Sequence, residues 1–84
     1  MDVWGALADG TRREILDLLK GRPHTAGEIA DQFSLSAATV SHHLSILREA
    51  KLVATIRRAQ TIIYSLDTRV LRQLLDGLSE FLDA

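Results

Sequence analysis

Residues 36–47 read SAATVSHHLSIL, a stretch in which small and hydroxyl residues come before two adjacent histidines and an aliphatic run. Ser36 is a favourable helix N-cap, and a helix over residues 36–50 is expected to follow from it. At about 100° per residue, the apolar face of that helix consists of Val40, Leu44 and Leu47. His43 then lies on the shoulder of the apolar face, whereas His42 points the opposite way. The stretch therefore predicts an amphipathic helix whose two histidines have different surroundings.

Two adjacent histidines suggest a metal site, acid–base catalysis or recognition of a surface that the helix lies against. Metal sites on a helix usually combine ligands three or four positions apart. The residues at those distances from the histidines are poor ligands: Ser45, Ile46 and Leu47. His24, the third histidine, is assigned to a separate loop, and no Ser–His–acid spacing, glycine-rich phosphate loop or carboxylate pair is present. We expect no metal, no cofactor and no enzymatic activity, and we expect His43 to hydrogen-bond within the domain.

The outward face of this helix is small and polar. It is formed by Ala38, Ser41, His42 and Ser45, with Thr39 at its edge. Small side chains let a helix approach a surface closely, and hydroxyl and imidazole groups can hydrogen-bond base edges or phosphates. The face is therefore suited to the major groove of DNA. Two alternatives remain, since hydroxyl-rich faces also pack against proteins and His42 alone could be a solvated surface residue.

Three further helices are predicted upstream: residues 3–8, residues 12–20 and a segment that carries Ile29, Ala30 and Phe33. The third of them begins at Thr25, which forms a capping-box pattern with Glu28 three residues later. The second could be capped by Asp9 or by Thr11. A short connection, residues 34–36, joins the third helix to the next one and predicts a helix-turn-helix arrangement.

After Lys51 the apolar period changes from helical to alternating. The alternation covers two runs on either side of a brief turn, which predicts a β-hairpin over residues 53–66. A two-residue hairpin turn at Ala59 and Gln60 would need positive φ, which strains alanine. We therefore expect a longer or irregular turn.

A last helix, capped by Asp67 or Thr68, carries a broad apolar stripe made of Val70, Leu71, Leu74, Leu75, Leu78, Phe81 and Leu82. This stripe is broader than the core of one small domain needs, and short domains often complete their core by dimerising. We expect part of the stripe to contact a second copy of the chain. A purely intramolecular core is the alternative.

The 84 residues predict one domain, residues 1–84, and contain no cysteine. The net charge is −1, yet residues 33–64 carry four basic residues against one glutamate, while both flanking segments are acidic. No apolar run approaches the ~20 residues of a membrane span. The first ten residues, MDVWGALADG, lack the pattern of a secretory signal. We expect a cytoplasmic protein without membrane insertion.

Four stretches carry a family resemblance: residues 7–16 (LADGTRREIL), 25–30 (TAGEIA), 41–53 (SHHLSILREAKLV) and 64–66 (YSL). Together they resemble the ArsR-type winged helix-turn-helix repressors. The resemblance implies a bacterial homodimeric transcriptional repressor that binds an inverted-repeat operator in double-stranded DNA. Its fold would be mainly α with a β-hairpin wing, in the order α/α/α/α/β/β/α. Residues 36–50 would be the recognition helix and residues 53–66 the wing.

The resemblance, with the outward face described above, assigns DNA contacts to Ser36, Thr39, Ser41, His42, Ser45, Arg48, Arg57, Arg58 and Gln60. The helix residues would read base edges or hold phosphates, and the two wing arginines would contact the backbone or the minor groove. An exposed charge pair is the alternative for those arginines. The terminal helices would form the dimer interface through Val3, Trp4, Leu7, Leu71, Leu74, Leu75, Leu78, Phe81 and Leu82.

Two departures from the family pattern, and the lack of the family's metal ligands, limit what carries over. The hairpin turn is Ala59-Gln60, where family wings often carry glycine. Gly10 stands where the family often has proline, which loosens the start of the second helix. Metal-sensing members use cysteines, or Asp and His residues of the last helix, but this chain has no cysteine and residues 67–84 contain no histidine. We therefore expect a member without metal or redox response. The releasing signal stays open between an anti-repressor protein, a small-molecule effector and the repressor's own concentration.

The alternative function is a winged-helix protein-interaction module without specific DNA binding. The modest net charge of −1 favours this alternative slightly.

Overall fold

The computed structural model describes residues 2–83, in which five helices and three strands follow one another. The elements are α1 (Val3–Ala8), α2 (Gly10–Gly21), β1 (His24–Thr25), α3 (Ala26–Phe33), α4 (Ala37–Glu49), β2 (Val53–Arg58), β3 (Thr61–Leu66) and α5 (Arg69–Asp83). The strands form one antiparallel sheet in the order β1-β3-β2. None of the helices in residues 2–83 is long and apolar enough to cross a membrane.

One strand, β1, was not predicted. His24 was assigned to a loop, and that assignment was wrong, because His24 pairs with Tyr64 and Thr25 pairs with Ile63 along the edge of β3. His24 is buried, and its Nδ1 donates a hydrogen bond to the carbonyl oxygen of Arg22 over 2.8 Å. A strand of two residues is too short to show an alternating pattern in the sequence. It forms because its backbone pairs with the edge of β3.

The starts of α2 and α3 follow the capping rules. The side chain of Asp9, not that of Thr11, caps α2, since Asp9 Oδ2 accepts a hydrogen bond from the backbone N–H of Arg12 over 2.9 Å. That hydrogen bond lowers the pKa of Asp9. The predicted capping box of α3 is confirmed: Thr25 Oγ1 accepts from the Glu28 amide (3.2 Å), and Glu28 Oε1 accepts from the Thr25 amide (2.9 Å).

A single apolar core lies between the helices and one face of the sheet. Its buried members are Ala6, Ile15, Leu16, Leu19, Ile29, Val40, Leu44, Leu47, Leu52 and Val53. Three of them are the residues predicted for the apolar face of α4, and all three are almost completely buried. Burial of one large aliphatic side chain contributes about 1.5–3 kcal/mol. The core therefore fixes which face of α4 points inward.

The hairpin turn differs from our expectation. Strands β2 and β3 stay paired from Val53 opposite Leu66 to Arg58 opposite Thr61, which leaves two turn residues, so the expectation of a longer or irregular turn was wrong. Ala59 has φ of 55°, in the left-handed region that residues other than glycine and asparagine seldom adopt. Six pairs in register hold the strand ends close together, and this pairing forces the strained conformation on alanine.

At the start of α5, the side chain of Asp67 makes a capping hydrogen bond, and Thr68 takes part only through its backbone carbonyl. Asp67 Oδ1 accepts a hydrogen bond from the Arg69 amide (3.1 Å), and the Thr68 carbonyl oxygen accepts one from the Arg72 amide (2.9 Å). The Asp67 carboxylate also pairs with the Arg69 guanidinium, the shortest N···O distance being 2.7 Å. These contacts lower the pKa of Asp67 to about 2. None of the described residues of α5 is fully buried, which leaves most of its apolar stripe open.

Candidate nucleic-acid interface

Helix α4 is held in place at both its start and its inner face. Ser34 adopts the left-handed conformation (φ 54°) that ends α3, and the chain then reverses through Leu35. Ser36 caps α4, because its Oγ accepts a hydrogen bond from the Thr39 amide over 3.1 Å. The predicted helix-turn-helix is formed by α3, this short connection and α4.

The nine residues that the sequence analysis assigned to DNA contact are all exposed: Ser36, Thr39, Ser41, His42, Ser45, Arg48, Arg57, Arg58 and Gln60. Six of them belong to α4 or its cap, and Ser41, His42 and Ser45 lie on its outward side. Ala38 shares the outward side, and Ala37 in the first turn is exposed too. The outward surface of α4 therefore offers hydroxyl groups and one imidazole without a long side chain in its first two turns.

The first turn of α4 contains two polar groups that sequence reasoning missed. The amide N–H groups of Ala37 and Ala38 have no intrahelical acceptor, because they precede the first i to i−4 hydrogen bond. The Ser36 hydroxyl is already engaged, since it donates to Thr39 Oγ1 (2.9 Å) while it caps the Thr39 amide. A phosphate beside Ser36 at this helix start would therefore take its hydrogen bonds from the two alanine amides. The sequence could have indicated these two amides, because an N-cap at Ser36 implies that the amides directly after it have no intrahelical acceptor.

The two histidines are separated as predicted. His42 is exposed, whereas His43 is half-buried and its Nδ1 lies 3.2 Å from Arg12 Nη1. The guanidinium can only donate, so Nδ1 accepts and the proton of a neutral ring is on Nε2. The prediction that His43 hydrogen-bonds within the domain is confirmed.

Sequence reasoning missed the partner of His43, although a signal was present. Arg12 occupies the first position of the stripe that α2 turns to the core, followed at helical spacing by Ile15, Leu16 and Leu19. A charged residue at a position where the period demands an apolar one is expected to be buried with partners. Arg12 is 7% exposed and follows this rule.

The basic groups around α4 are available for anionic partners. Among residues 2–83, the guanidinium groups of Arg48, Arg57 and Arg58 make no ion pair or hydrogen bond with the protein. Arg57 and Arg58 are consecutive strand residues, so their side chains leave opposite faces of the hairpin. Both residues lie at the end of β2, next to the two-residue turn. Two positive charges therefore lie at the tip of the wing.

Exposed apolar residues lie on both terminal helices, α1 and α5. The most exposed of them are Trp4 of α1 and four residues of α5: Leu75, Leu78, Phe81 and Leu82. Val3, Leu7 and Leu71 are half-buried and pack partly against the domain's own core. Leu74 is half-buried as well. The residues predicted for a dimer interface therefore form an outer set that is open to solvent and an inner set that is shared with the core.

No metal centre is visible within residues 2–83. Nowhere in that range do three His, Asp or Glu side chains lie close enough together to hold a metal ion. The absence of a metal response stays a prediction.

Three comparisons place this geometry among known proteins. A helix-turn-helix domain family matches residues 7–56. The transcriptional repressor SdpR of Bacillus subtilis strain 168 is 45% identical over 82 residues, which are 98% of this chain and 91% of SdpR. Among solved structures, an ArsR-like transcriptional regulator from Rhodococcus sp. RHA1 superposes with a TM-score of 0.90 at 28% identity, over 94% of this chain and 72% of that one.

A further solved structure is the homodimeric winged helix-turn-helix DNA-binding domain of Mb0332 from Mycobacterium bovis. It is 28% identical, with a TM-score of 0.77 over 96% of this chain and 75% of that one. These likenesses confirm the predicted winged helix-turn-helix fold, to which the structure adds the short strand β1.

Proposed function

The chain belongs to the ArsR-type winged helix-turn-helix transcriptional regulators, which bind DNA and are not enzymes, and from that premise we propose that it is a homodimeric, sequence-specific repressor without metal response. One observation carries the proposal. The apolar face of α4 is almost completely buried while its outward face presents only small and polar groups. A helix with this distribution can enter the major groove of B-DNA, where each base pair presents a distinct pattern of donors and acceptors.

The outward face of α4 supplies sequence readout. Ser41, His42 and Ser45 lie within one turn of each other and would hydrogen-bond base edges, with Thr39 at the margin. A hydroxyl can donate or accept, and an imidazole can do either according to its tautomer. These side chains are short, so the backbone of α4 must come close to the base edges. Ala37 and Ala38 permit that approach because they add no bulk.

Phosphate contacts set the register of the protein on the duplex. We assign them to Ser36 with the adjoining amides at the start of α4, and to Arg48 near its end. Arg57 and Arg58 would contact the backbone or the minor groove from the wing, with Gln60 beside them. The support is that these three arginines have no partner among the described protein residues.

A two-fold dimer would present two copies of α4 to one side of the duplex. The exposed apolar residues of α5 and Trp4 of α1 support this assembly, as does the homodimeric state of the Mycobacterium bovis domain. Two recognition helices would occupy successive major grooves about 34 Å apart, so the operator would be an imperfect inverted repeat with half-site centres about 10 bp, or a multiple of that, apart.

The proposed function is tested by footprinting on the DNA upstream of the protein's own coding sequence, at moderate salt. We expect a protected region with two-fold symmetry. A chain that protects no site there and binds all duplexes equally would instead support the protein-interaction module, with α4 or α5 as its docking face.

A further inference from the structure

Arg12 joins three helices through one buried guanidinium group. Its Nε donates to the carbonyl oxygen of Ala6 (2.9 Å), and its Nη2 donates to that of Gly5 (3.1 Å). Both carbonyls belong to the last turn of α1. Its Nη1 donates to His43 Nδ1 of α4 (3.2 Å), while its own backbone belongs to α2.

The geometry of a guanidinium makes this junction rigid. The group is planar and its donors point in fixed directions, so the acceptors it binds are fixed relative to one another. The last carbonyls of a helix have no intrahelical donor, which means that Arg12 also satisfies the end of α1. A buried cation keeps this place only when its hydrogen bonds are made. The position of α4 is therefore tied to that of α1.

The neighbouring arginine shows what this junction adds. Arg13 Nη1 donates to the carbonyl oxygen of Leu7 over 2.7 Å, but Arg13 is exposed. Both arginines thus hold the end of α1, and the hydrogen bond to His43 links Arg12 to α4. Arg13 is a matched control for the loss of a contact to α1.

We propose that His43 is a positioning residue for DNA recognition: as the neutral acceptor of Arg12 it sets the angle of α4 against α1, a helix of the proposed dimer interface. This inference rests on the proposed function, since it assigns a role to a residue that faces away from DNA. Its consequence is that His43 affects specific binding without touching the duplex.

Charged and polar groups surround His43 on three helices. Arg12 faces it from α2, Asp9 lies at the start of α2, His42 adjoins it on α4, and α1 presents the carbonyls of Gly5 and Ala6. A protonated ring has two N–H donors and no acceptor, and it would place a second cation 3.2 Å from the guanidinium. The Asp9 carboxylate offsets part of that repulsion. The hydrogen bond to Arg12 therefore requires the neutral form of the His43 ring.

Substitutions of His43 distinguish a role in positioning α4 from a general contribution to the stability of the fold. Asn places its Oδ1 near the position of Nδ1, so His43→Asn keeps the acceptor but cannot gain a proton. His43→Leu removes the acceptor, and His43→Ala does the same with the best helix former, should leucine prevent folding. Arg13→Met is the control that loses only a contact to α1.

The first readout needs no DNA. Trp4 and the amides of Gly5 and Ala6 report on α1, through fluorescence and through ¹H–¹⁵N NMR spectra at neutral pH. We expect them to shift in His43→Leu and His43→Ala and to stay near their wild-type positions in His43→Asn. Unchanged α1 signals in both acceptor-free variants would refute the link itself, whatever the protein binds.

The second readout is binding to the duplex that wild type protects and to a scrambled duplex of the same length. Loss of the acceptor should weaken specific binding by about tenfold, the effect of one hydrogen bond to a charged group, and leave scrambled-duplex binding and the salt slope unchanged. His43→Asn, which keeps an acceptor, should bind like wild type.

The alternatives give other results. Equal losses on both duplexes with a smaller salt slope would identify a direct DNA contact, and undiminished specific binding with shifted α1 signals would restrict His43 to a structural role. Either result overturns the proposal. A wild type that distinguishes no duplex overturns the proposed function and with it the positioning role, while the α1 signals still decide whether the link exists.

Discussion

The ring centroids of His42 and His43 lie 6.0 Å apart with their planes tilted by 48°, and the two rings have different environments. His43 Nδ1 accepts a hydrogen bond from buried Arg12, whereas His42 is exposed among the small residues of the outward face of α4. A single residue step of about 100° along α4 thus gives two adjacent histidines different surroundings. One member binds inside the domain, and the other faces the proposed DNA.

His42 should determine sequence preference. His42→Ala removes a base-edge contact, and we expect it to change discrimination among operator variants by about 1–3 kcal/mol, measured by competition in mobility-shift titrations. His42→Asn is the polar control and should shift the preference without abolishing it. If affinity falls equally on every sequence, His42 contacts a phosphate and does not read a base edge.

Arg58 should contribute to binding without regard to sequence. Arg58→Ala should weaken binding on all duplexes to a similar degree and reduce the slope of log K against log salt by about 1, because one fewer counterion is released. Lys20→Ala, a loss of charge at the exposed end of α2, is the control and should leave the slope unchanged. If titrations of Arg58→Ala and wild type coincide at several salt concentrations, the wing does not contact DNA.

Leu78 should hold the dimer together. The side chain is 49% exposed in the single chain, so Leu78→Glu should fold but dissociate, with a sedimentation coefficient of a monomer and weakened operator binding. Gln73→Glu adds the same charge to the opposite face of α5 and should remain dimeric. A variant Leu78→Glu that sediments like wild type at micromolar concentration would show that α5 is not the interface.

Ala59 should be a site where glycine stabilises the fold. Its φ of 55° costs an L-residue about 1–2 kcal/mol, and Ala59→Gly should recover about 1 kcal/mol of unfolding free energy in urea. Gln60 does not have a positive φ, so glycine relieves no strain there. Gln60→Gly should instead lower the free energy of unfolding, because glycine raises the conformational entropy of the unfolded chain. Equal effects of the two glycines would mean that the turn is not strained at Ala59.

Much of the fold could be predicted because local signals and packing agree. The inward face of α4 follows from the spacing of Val40, Leu44 and Leu47, and the starts of α3 and α4 follow from Thr25 and Ser36, whose caps are local hydrogen bonds. Each of these signals comes from residues within one or two helical turns of the feature that it predicts.

The features that escaped prediction depend on partners far away in the chain. Strand β1 exists because β3 pairs with it 38 to 40 residues later, as the pairs of His24 with Tyr64 and Thr25 with Ile63 show. The partner of Arg12 is 31 residues away. The turn at Ala59 is set by the register of the strands on either side, which overrides the preference of alanine.

The central claim, that a dimer reads DNA with the outward face of α4, is tested most directly by selecting bound duplexes from a random pool with the wild-type protein. The account predicts enrichment of an imperfect inverted repeat whose half-site centres lie about 10 bp, or a multiple of that, apart. It also predicts that selection with a protein carrying Ser41→Ala and His42→Ala enriches a different or degenerate half-site. No enriched sequence with wild type, or the same repeat with both proteins, would contradict it.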